Sequence, residues 1–504
     1  MYKKMRKMSK DKLTVKAVHN NPAFFAMEAS EGTWKPYRHL VLIIELLIYV
    51  VQGRCSRLMV FCPPRHGKSE LISYYFLSWY LGNFPDKKVI LTTHTASFSR
   101  KWGRRCRNLL KKYGLKLFES EIALAEDSQS ASNWNIKNHD GGLFTSGTGG
   151  AILGEGANLF IIDDPTKGFK KANSKTHQQE LNDWWFTEAK TRLDADLEKG
   201  IKPGVIAIFQ RLNKWDLAGQ ILYKKEGDKV VPREPQMPLN IALEILRNGG
   251  TIPYGTWVVC NLPALAEEND PLGRKVGEAL WPEKVPAKEL EETKRTMGSF
   301  RYNAVYQGNP REPEGGVFER KWFSKSRVPD KKMDEMIEKL PALRYWDLGA
   351  SGEDGDKTAA SLTYWDGEYL YWRKQLNKGL TPLQVDKYFV DTTIRDGKKT
   401  TVRIEQEPGA SPKVLIDKFQ RHKKLRGYRI RPDKVKKAGD KLTRSFDLQA
   451  LAEDGKVLIA ESIFEMVVDE LVEFTGEEGG TDNITDTGTG AARYWLSPRR
   501  RVHA

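Results

Sequence analysis

The stretch Cys62-Pro63-Pro64-Arg65-His66-Gly67-Lys68-Ser69-Glu70 constrains this chain more than any other. An apolar run, Arg57-Leu58-Met59-Val60-Phe61, precedes it and Leu71-Ile72-Ser73-Tyr74-Tyr75-Phe76-Leu77 follows, so the local reading is strand, tight loop, helix. Gly67-Lys68-Ser69 is the end of a phosphate-binding loop. Backbone amides at a helix N-terminus face an anion there, and the helix dipole favours negative charge. Lys68 is expected to reach the β- and γ-phosphates of ATP, and Ser69 to hold Mg²⁺ through its hydroxyl. The loop and first turn, Pro64, Arg65, His66, Gly67, Lys68, Ser69 and Glu70, form the expected nucleotide-contacting set. Cys62 stands where the consensus has its first glycine, and two prolines stiffen the loop instead. A chance turn would explain Gly-Lys-Ser alone, but not the flanking strand and helix.

Such a loop needs an acidic partner for the metal. Leu159-Phe160-Ile161-Ile162-Asp163-Asp164-Pro165 is a buried-strand run delivering two carboxylates to its C-terminal end. Asp163 is expected to hold the metal, directly or through water, and Asp164 to polarise the attacking water. An acidic turn before Pro165 is the bland alternative. Lys88-Val89-Ile90-Leu91-Thr92-Thr93-His94 and Gly204-Val205-Ile206-Ala207-Ile208-Phe209 read as further parallel strands. The second ends at Gln210-Arg211, polar residues placed to sense a γ-phosphate. Ser97 to Tyr113 reads as a helix with Arg100, Lys101, Arg104, Arg105 and Arg107 on its polar side, either a solvated face or a DNA-facing or phosphate-sensing cluster. The alternation predicts an α/β domain with a mostly parallel sheet and the ligand at the strand C-termini.

A length of 504 residues calls for two or three domains. Pro, Gly and charge mark the middle of the chain, so the expected division is a P-loop ATPase domain at 1–262, a linker at 263–315 with a helix from Ala287 to Met297, and a second domain at 316–504. The net charge of +16 and pI near 9.3 point to an acidic partner, nucleic acid first. Cys55, Cys62, Cys106 and Cys260 lack zinc spacing and suggest no disulfide framework. The basic start, Met1 to Lys12, leads into no apolar core, so it is not read as a signal peptide. The run Leu40 to Val51 is too short to span a bilayer and holds Glu45, so it reads as a buried helix beside the nucleotide site.

In the last third, Ala342 to Gly349, Lys357 to Tyr364, Tyr369 to Lys374 and Thr400 to Glu405 read as strands, with an Asp366-Gly367 hairpin turn and a helix capped by Thr381-Pro382. Asp347, Glu405 and either Asp482 or Asp486 sit at element ends, where strand tips and a helix start can converge. Converging carboxylates need cations, and oxygen ligands select Mg²⁺ or Mn²⁺. Two such ions would clamp the attacking water and leaving oxygen of a phosphodiester. Solvated caps are the alternative. Asp354 and Asp356 read as turn residues.

These motifs resemble the large terminase subunit of tailed bacteriophages over most of the chain. Pro63 to Glu70 looks like that family's phosphate loop and Ile161 to Pro165 like its acidic strand. Gln210-Arg211 with Trp215 to Gly219, Leu262-Pro263-Ala264, Pro271 to Arg274, Gly277 to Pro282, Tyr306 to Pro310 and Gly439-Asp440-Lys441 also fit, as do Trp346 to Gly349 and Ile404 to Gly409. The family's tail motif has His-Asp-Asp and a later Asp-Ala; this chain has Thr481-Asp482-Asn483 and Asp486-Thr487, which leaves the third nuclease ligand open between Asp482 and Asp486. The resemblance implies an ATP-driven motor that threads double-stranded DNA into a procapsid, and a ribonuclease-H-like, two-metal endonuclease that cuts concatemers. It implies a ring, pentameric in the usual model, on the portal protein beside a small terminase subunit, in the host cytoplasm and transiently at the portal vertex, with no membrane. Arg65 is the expected γ-phosphate arginine within the subunit, with Arg100, Arg104 and Arg105 the candidates acting on a neighbour. A helicase-nuclease of DNA repair shares the phosphate loop and the charge, but the chain shows no tandem second motor domain. A module using ATP only as a switch would need no second carboxylate cluster.

Overall fold

The computed structural model describes residues 15–118, 122–150, 152, 154–194, 202–227, 229–310, 316–349, 357–406, 410–435, 440–476 and 482–497. The chain divides into two compact units: residues 1–290 with 303–310, and residues 291–302 with 311–504.

The first unit is built on a nine-stranded sheet. Its strands are β1 (Arg57–Phe61), β2 (Lys88–Thr93), β3 (Leu124–Gln129), β4 (Asn133–Ile136), β5 (Gly142–Gly147), β6 (Leu159–Asp163), β7 (Gly204–Phe209), β10 (Gln236–Pro238) and β11 (Trp257–Asn261); β8 (Tyr223–Glu226) and β9 (Lys229–Pro232) form a separate hairpin. The order is β10-β11-β1-β7-β6-β2-β5-β4-β3, parallel except where β4 meets β5 and β3 meets β4. Every residue of β1, β6 and β7 is buried, as expected of apolar runs covered on both faces. The apolar stretch at 40–51 is helix α1 (Arg38–Val51), packed in the core. Lys68–Glu70, Leu71–Phe76 and Leu77–Asn83 run on as one helix, α2, whose middle segment is π-helical. Helix α3 (Ala96–Leu117) follows β2, and α4 (Leu217–Leu222) follows β7. Among the described residues no helix is long and apolar enough to cross a membrane, and all four cysteines are free and buried.

The second unit carries a seven-stranded sheet of β12 (Arg327–Val328), β13 (Ala342–Asp347), β14 (Thr358–Trp365), β15 (Leu370–Lys378), β16 (Thr401–Gln406), β17 (Arg429–Lys434) and β18 (Val457–Ala460), in the order β12-β18-β15-β14-β13-β16-β17. The meander β13-β14-β15 is antiparallel and the outer strands are parallel to their neighbours, the mixed α/β arrangement of a ribonuclease-H-like domain. Local chemistry sets its turns. Asp366 accepts the amides of Glu368 at 2.8 Å and Tyr369 at 2.7 Å, closing the β14–β15 turn. Thr381 and Gln384 form a capping box on the helix Pro382–Asp396. Helices α5 (Lys441–Glu453) and α6 (Asn483–Leu496) pack together, and α6 lies against β13 and β14. β12, β17 and β18, like β3, β4, β10 and β11 in the first unit, are strands that the sequence pattern did not disclose. Several hold prolines, charges or very few residues, and their place comes from the neighbours that pair with them.

Candidate functional sites at the two sheets

The phosphate loop leaves β1 and turns into α2. Arg65 and Gly67 both hold positive φ, 61° and 82°; at Arg65 an L side chain takes up that strain. Lys284 Nζ donates to the Arg65 carbonyl at 2.6 Å. His39 of α1 bonds the His66 carbonyl through Nε2 at 2.9 Å, and His66 Nδ1 lies 2.9 Å from the Pro64 carbonyl. Burial holds both imidazoles well below their ordinary range, to about 3 for His39 and about 4 for His66; both are neutral.

Ser69 Oγ and Ser73 Oγ donate to the two oxygens of Asp163, each at 2.8 Å. Ser73 lies one turn beyond Ser69 on α2, on the same face. Asp163 is fully buried; burial and then the Asp164 charge push its carboxyl up to about 6, against the pull of Lys68. Lys68 is itself buried. Desolvation would lower its pKa, but Asp164 and Asp163 carry it above its ordinary value. Its Nζ lies 2.8 Å from Asp164 Oδ2, while Gln210 donates its amide to Asp164 Oδ1 at 2.6 Å. Asp164 sits at φ 44°, just past the end of β6. Loop, acidic strand and β7 tip thus meet at the strand C-termini, with Ser69 bonded to Asp163 and Asp164 held between Lys68 and the Gln210 backbone amide. The Ser69–Asp163 pair is an all-oxygen donor set, which suits Mg²⁺.

Other expected residues lie differently. Arg211 does not project beside Gln210; it is buried and clamped to Asp216 at 2.9 Å, which also caps α4. Arg65 and Glu70 are exposed. Arg105 pairs with Glu70 at 3.6 Å and lies over the Tyr74 ring at 4.0 Å, both on α2. Sequence reading passed over His39, Ser73 and Lys284. The i+4 spacing of Ser73 from Ser69 was a usable signal; the other two are brought in by the fold.

In the second unit Asp347 ends β13 and Glu405 lies on β16. Trp346 faces Ile404 across that parallel ladder, so the two acids are the next residues of adjacent strands. Asp482 is at the N-cap of α6 and Asp486 in its first turn, both buried. Two basic residues of α5 stand among these acids. Arg444 Nη1 lies 2.5 Å from Glu405 Oε1 and its Nη2 3.3 Å from Asp486 Oδ1. Lys441 Nζ pairs with Asp482 and lies 3.5 Å from Asp486. Glu470 accepts the Ile484 and Thr485 amides at 2.5 and 3.0 Å, which fixes the start of α6. Burial pushes Glu405 up to about 7 against the pull of Arg444, and Asp486 upward for the same reason.

Glu405, Asp482 and Asp486 are therefore brought together through Arg444 and Lys441, with Asp347 on the neighbouring strand. Among the described residues no group of three or more His, Cys, Asp or Glu side chains is arranged to hold a metal ion. The donors are nevertheless all oxygens, and Glu405 Oε2 is buried with no hydrogen-bond partner among the described residues, which fits a hard cation in donor type. Lys441 stood in a quoted motif and Arg444 three residues on, at helical spacing. Asp354, Asp356, Glu407 to Gly409, Gly439, Gly479 to Thr481, Arg499 to Arg501 and the basic start at Met1 to Lys12 lie outside the described residues.

Residues 344–491 match the family model described as the terminase RNaseH-like domain. No curated protein matches the chain. Among solved structures, the chain is similar to the large terminase of a thermophilic bacteriophage at 12% identity, over 90% of this chain and 98% of that one, with a TM-score of 0.48. It is similar to the bacteriophage HK97 large terminase at 12% identity, over 88% and 93%, TM-score 0.31, and to the P22 large terminase nuclease domain at 14% identity, over 38% and 95%, TM-score 0.26. The second unit thus carries a terminase RNaseH-like domain, and the first a phosphate loop at the C-terminal end of a mostly parallel sheet.

Proposed function

We infer that this chain is a viral DNA-packaging motor and nuclease, in which ATP hydrolysis by the first unit drives double-stranded DNA into a procapsid and the second unit cuts concatemers at initiation and termination. The observation that carries the reading is that the terminase RNaseH-like match lies on the same chain as a phosphate loop whose serine is bonded to the acidic-strand carboxylate. In the motor, Lys68 leaves Asp164 for the β- and γ-phosphates when ATP binds. Asp164, relieved of its counter-ion and still held by the Gln210 amide, polarises the attacking water. Ser69 and Asp163 are the residues to hold Mg²⁺, which would neutralise phosphate charge. Arg65, exposed at the loop, is the candidate for the γ-phosphate within the subunit. In the nuclease, Asp347, Glu405, Asp482 and Asp486 are the residues to hold two Mg²⁺ or Mn²⁺ ions, which would activate water and stabilise the leaving oxygen. Double-stranded DNA, a portal protein, a small terminase subunit and further copies of the chain in a ring, five by the usual family arrangement, are the proposed partners. The proposed place of action is the host bacterial cytoplasm and the procapsid portal vertex.

The test is whether purified protein hydrolyses ATP with DNA stimulation, without separating strands, and degrades plasmid DNA with Mn²⁺ but not with EDTA. Lys68→Ala should abolish ATP turnover and spare the cutting of free DNA. ATP turnover in that variant equal to wild type would overturn the motor assignment; plasmid cutting that persists in EDTA would overturn the nuclease assignment.

A further inference from the structure

We propose that the outer face of α3 is the surface on which the motor unit holds the phosphate backbone of duplex DNA. The 22-residue helix contains no Asp or Glu. Its exposed stripe carries Arg100, Lys101, Arg104, Lys111, Lys112 and Lys116, spread over about 24 Å at the helical rise. The opposite face is seated firmly: Trp102, Cys106 and Leu110 are buried, and Gly103 lies so close to the β3–β4 connection that a Cβ there would stand 2.6 Å from the Ala131 carbonyl oxygen. The bases are therefore displayed from a fixed rod.

The arrangement works against the helix itself. Arg100 and Arg104, and Lys112 and Lys116, are like charges at i,i+4 spacing, which destabilises a helix. Arg100 and Lys101 also stand near the N-terminal, positive end of the dipole, and the first turn has no acid. A solvated face normally mixes signs to avoid both costs. Glu31 pairs with Lys112 at 2.9 Å and Glu70 with Arg105 at 3.6 Å. Among the described residues no acid bridges Arg100, Lys101, Arg104 or Lys116. A polyanion supplies what the chain withholds. The exposed residues beside the bases are Ser97, Asn108 and Leu115, while Phe98 and Tyr113 are half-buried beneath Lys101 and Lys112, so no fully exposed ring offers the stacking platform of a single-strand binder. It suits a duplex backbone gripped without regard to sequence.

This inference rests on the packaging reading, and the test separates the two. Binding of the full chain to a short blunt duplex in EDTA is measured by fluorescence anisotropy over a range of salt. The variant Lys101→Gln/Lys111→Gln/Lys116→Gln is compared with Lys224→Gln/Lys225→Gln/Lys229→Gln on the β8–β9 hairpin, which loses the same charge. Neutralising three backbone contacts should make the slope of log K against log salt shallower by about 2 to 3. It should also raise the DNA concentration that half-stimulates ATP turnover, with turnover in the absence of DNA unchanged. A slope equal to wild type, or an equal change in the hairpin variant, overturns the assignment of α3 while leaving the packaging reading intact. A wild-type chain that binds no duplex at low salt overturns both.

Discussion

Asp164→Asn is the substitution that most directly probes the motor chemistry. Lys68 is paired with Asp164, 2.8 Å away. ATP must break that pair before its phosphates can use the lysine. At an effective dielectric near 20, unit charges 2.8 Å apart attract by about 6 kcal/mol. The Asp164 side chain keeps 26% of its exposure, so solvent returns most of that and the net cost of separation is about 1 kcal/mol. Asparagine removes the charge but keeps an oxygen for the Gln210 amide. It also tolerates the positive φ of this position as readily as aspartate does, so the backbone has no reason to move. Asp164→Asn should therefore bind ATP with Mg²⁺ about fivefold more tightly, while turnover falls by about 10²–10⁴ through loss of the group that polarises water. Titration calorimetry with a slowly hydrolysed ATP analogue gives the affinity, and steady-state phosphate release gives the rate. Weaker nucleotide binding, or turnover within about threefold of wild type, would refute the reasoning.

Asp347→Ala, Glu405→Ala and Asp482→Ala should lose Mn²⁺-dependent plasmid cutting with ATP turnover intact, and Asp486→Ala should keep part of it at high Mn²⁺; normal cutting by Asp482→Ala with a dead Asp486→Ala would invert their roles. Asp270→Ala strands Arg274, whose side chain is 2% exposed and pairs with Asp270 at 2.5 Å, so urea unfolding of the first unit should report about 3–5 kcal/mol of lost stability. His39 and His66 are held neutral when folded but take up protons once unfolded, below about 6.5. Stability should therefore fall by about 1.4 kcal/mol per pH unit for each of them as pH drops from about 6 toward about 4. His39→Gln should reduce that slope by one histidine's share in unfolding curves taken across this range.

Local codes were legible in the residues. Gly67-Lys68-Ser69 between an apolar strand and a helix, the acids closing Leu159 to Asp163, the Asp366-Gly367 turn and the Thr381 cap each need only a few neighbouring residues to specify them, and each stands where the pattern placed it. The second group of facts depends on residues far apart in sequence. Ser73 completes the Asp163 site across 90 positions, and Lys284 reaches the Arg65 carbonyl across 219. Arg444 and Lys441 stand between acids on β16 and α6 although no spacing rule links them. Arg211, legible as a strand-tip residue, is withdrawn by Asp216. Strands such as Arg429–Lys434 have no apolar rhythm and exist because β16 offers an edge to pair with. Sequence alone determined that the chain holds a phosphate loop and carboxylates at element ends. Only the tertiary structure decided which cation neutralises which acid, because burial makes each buried charge take a partner and packing alone sets which one is within reach.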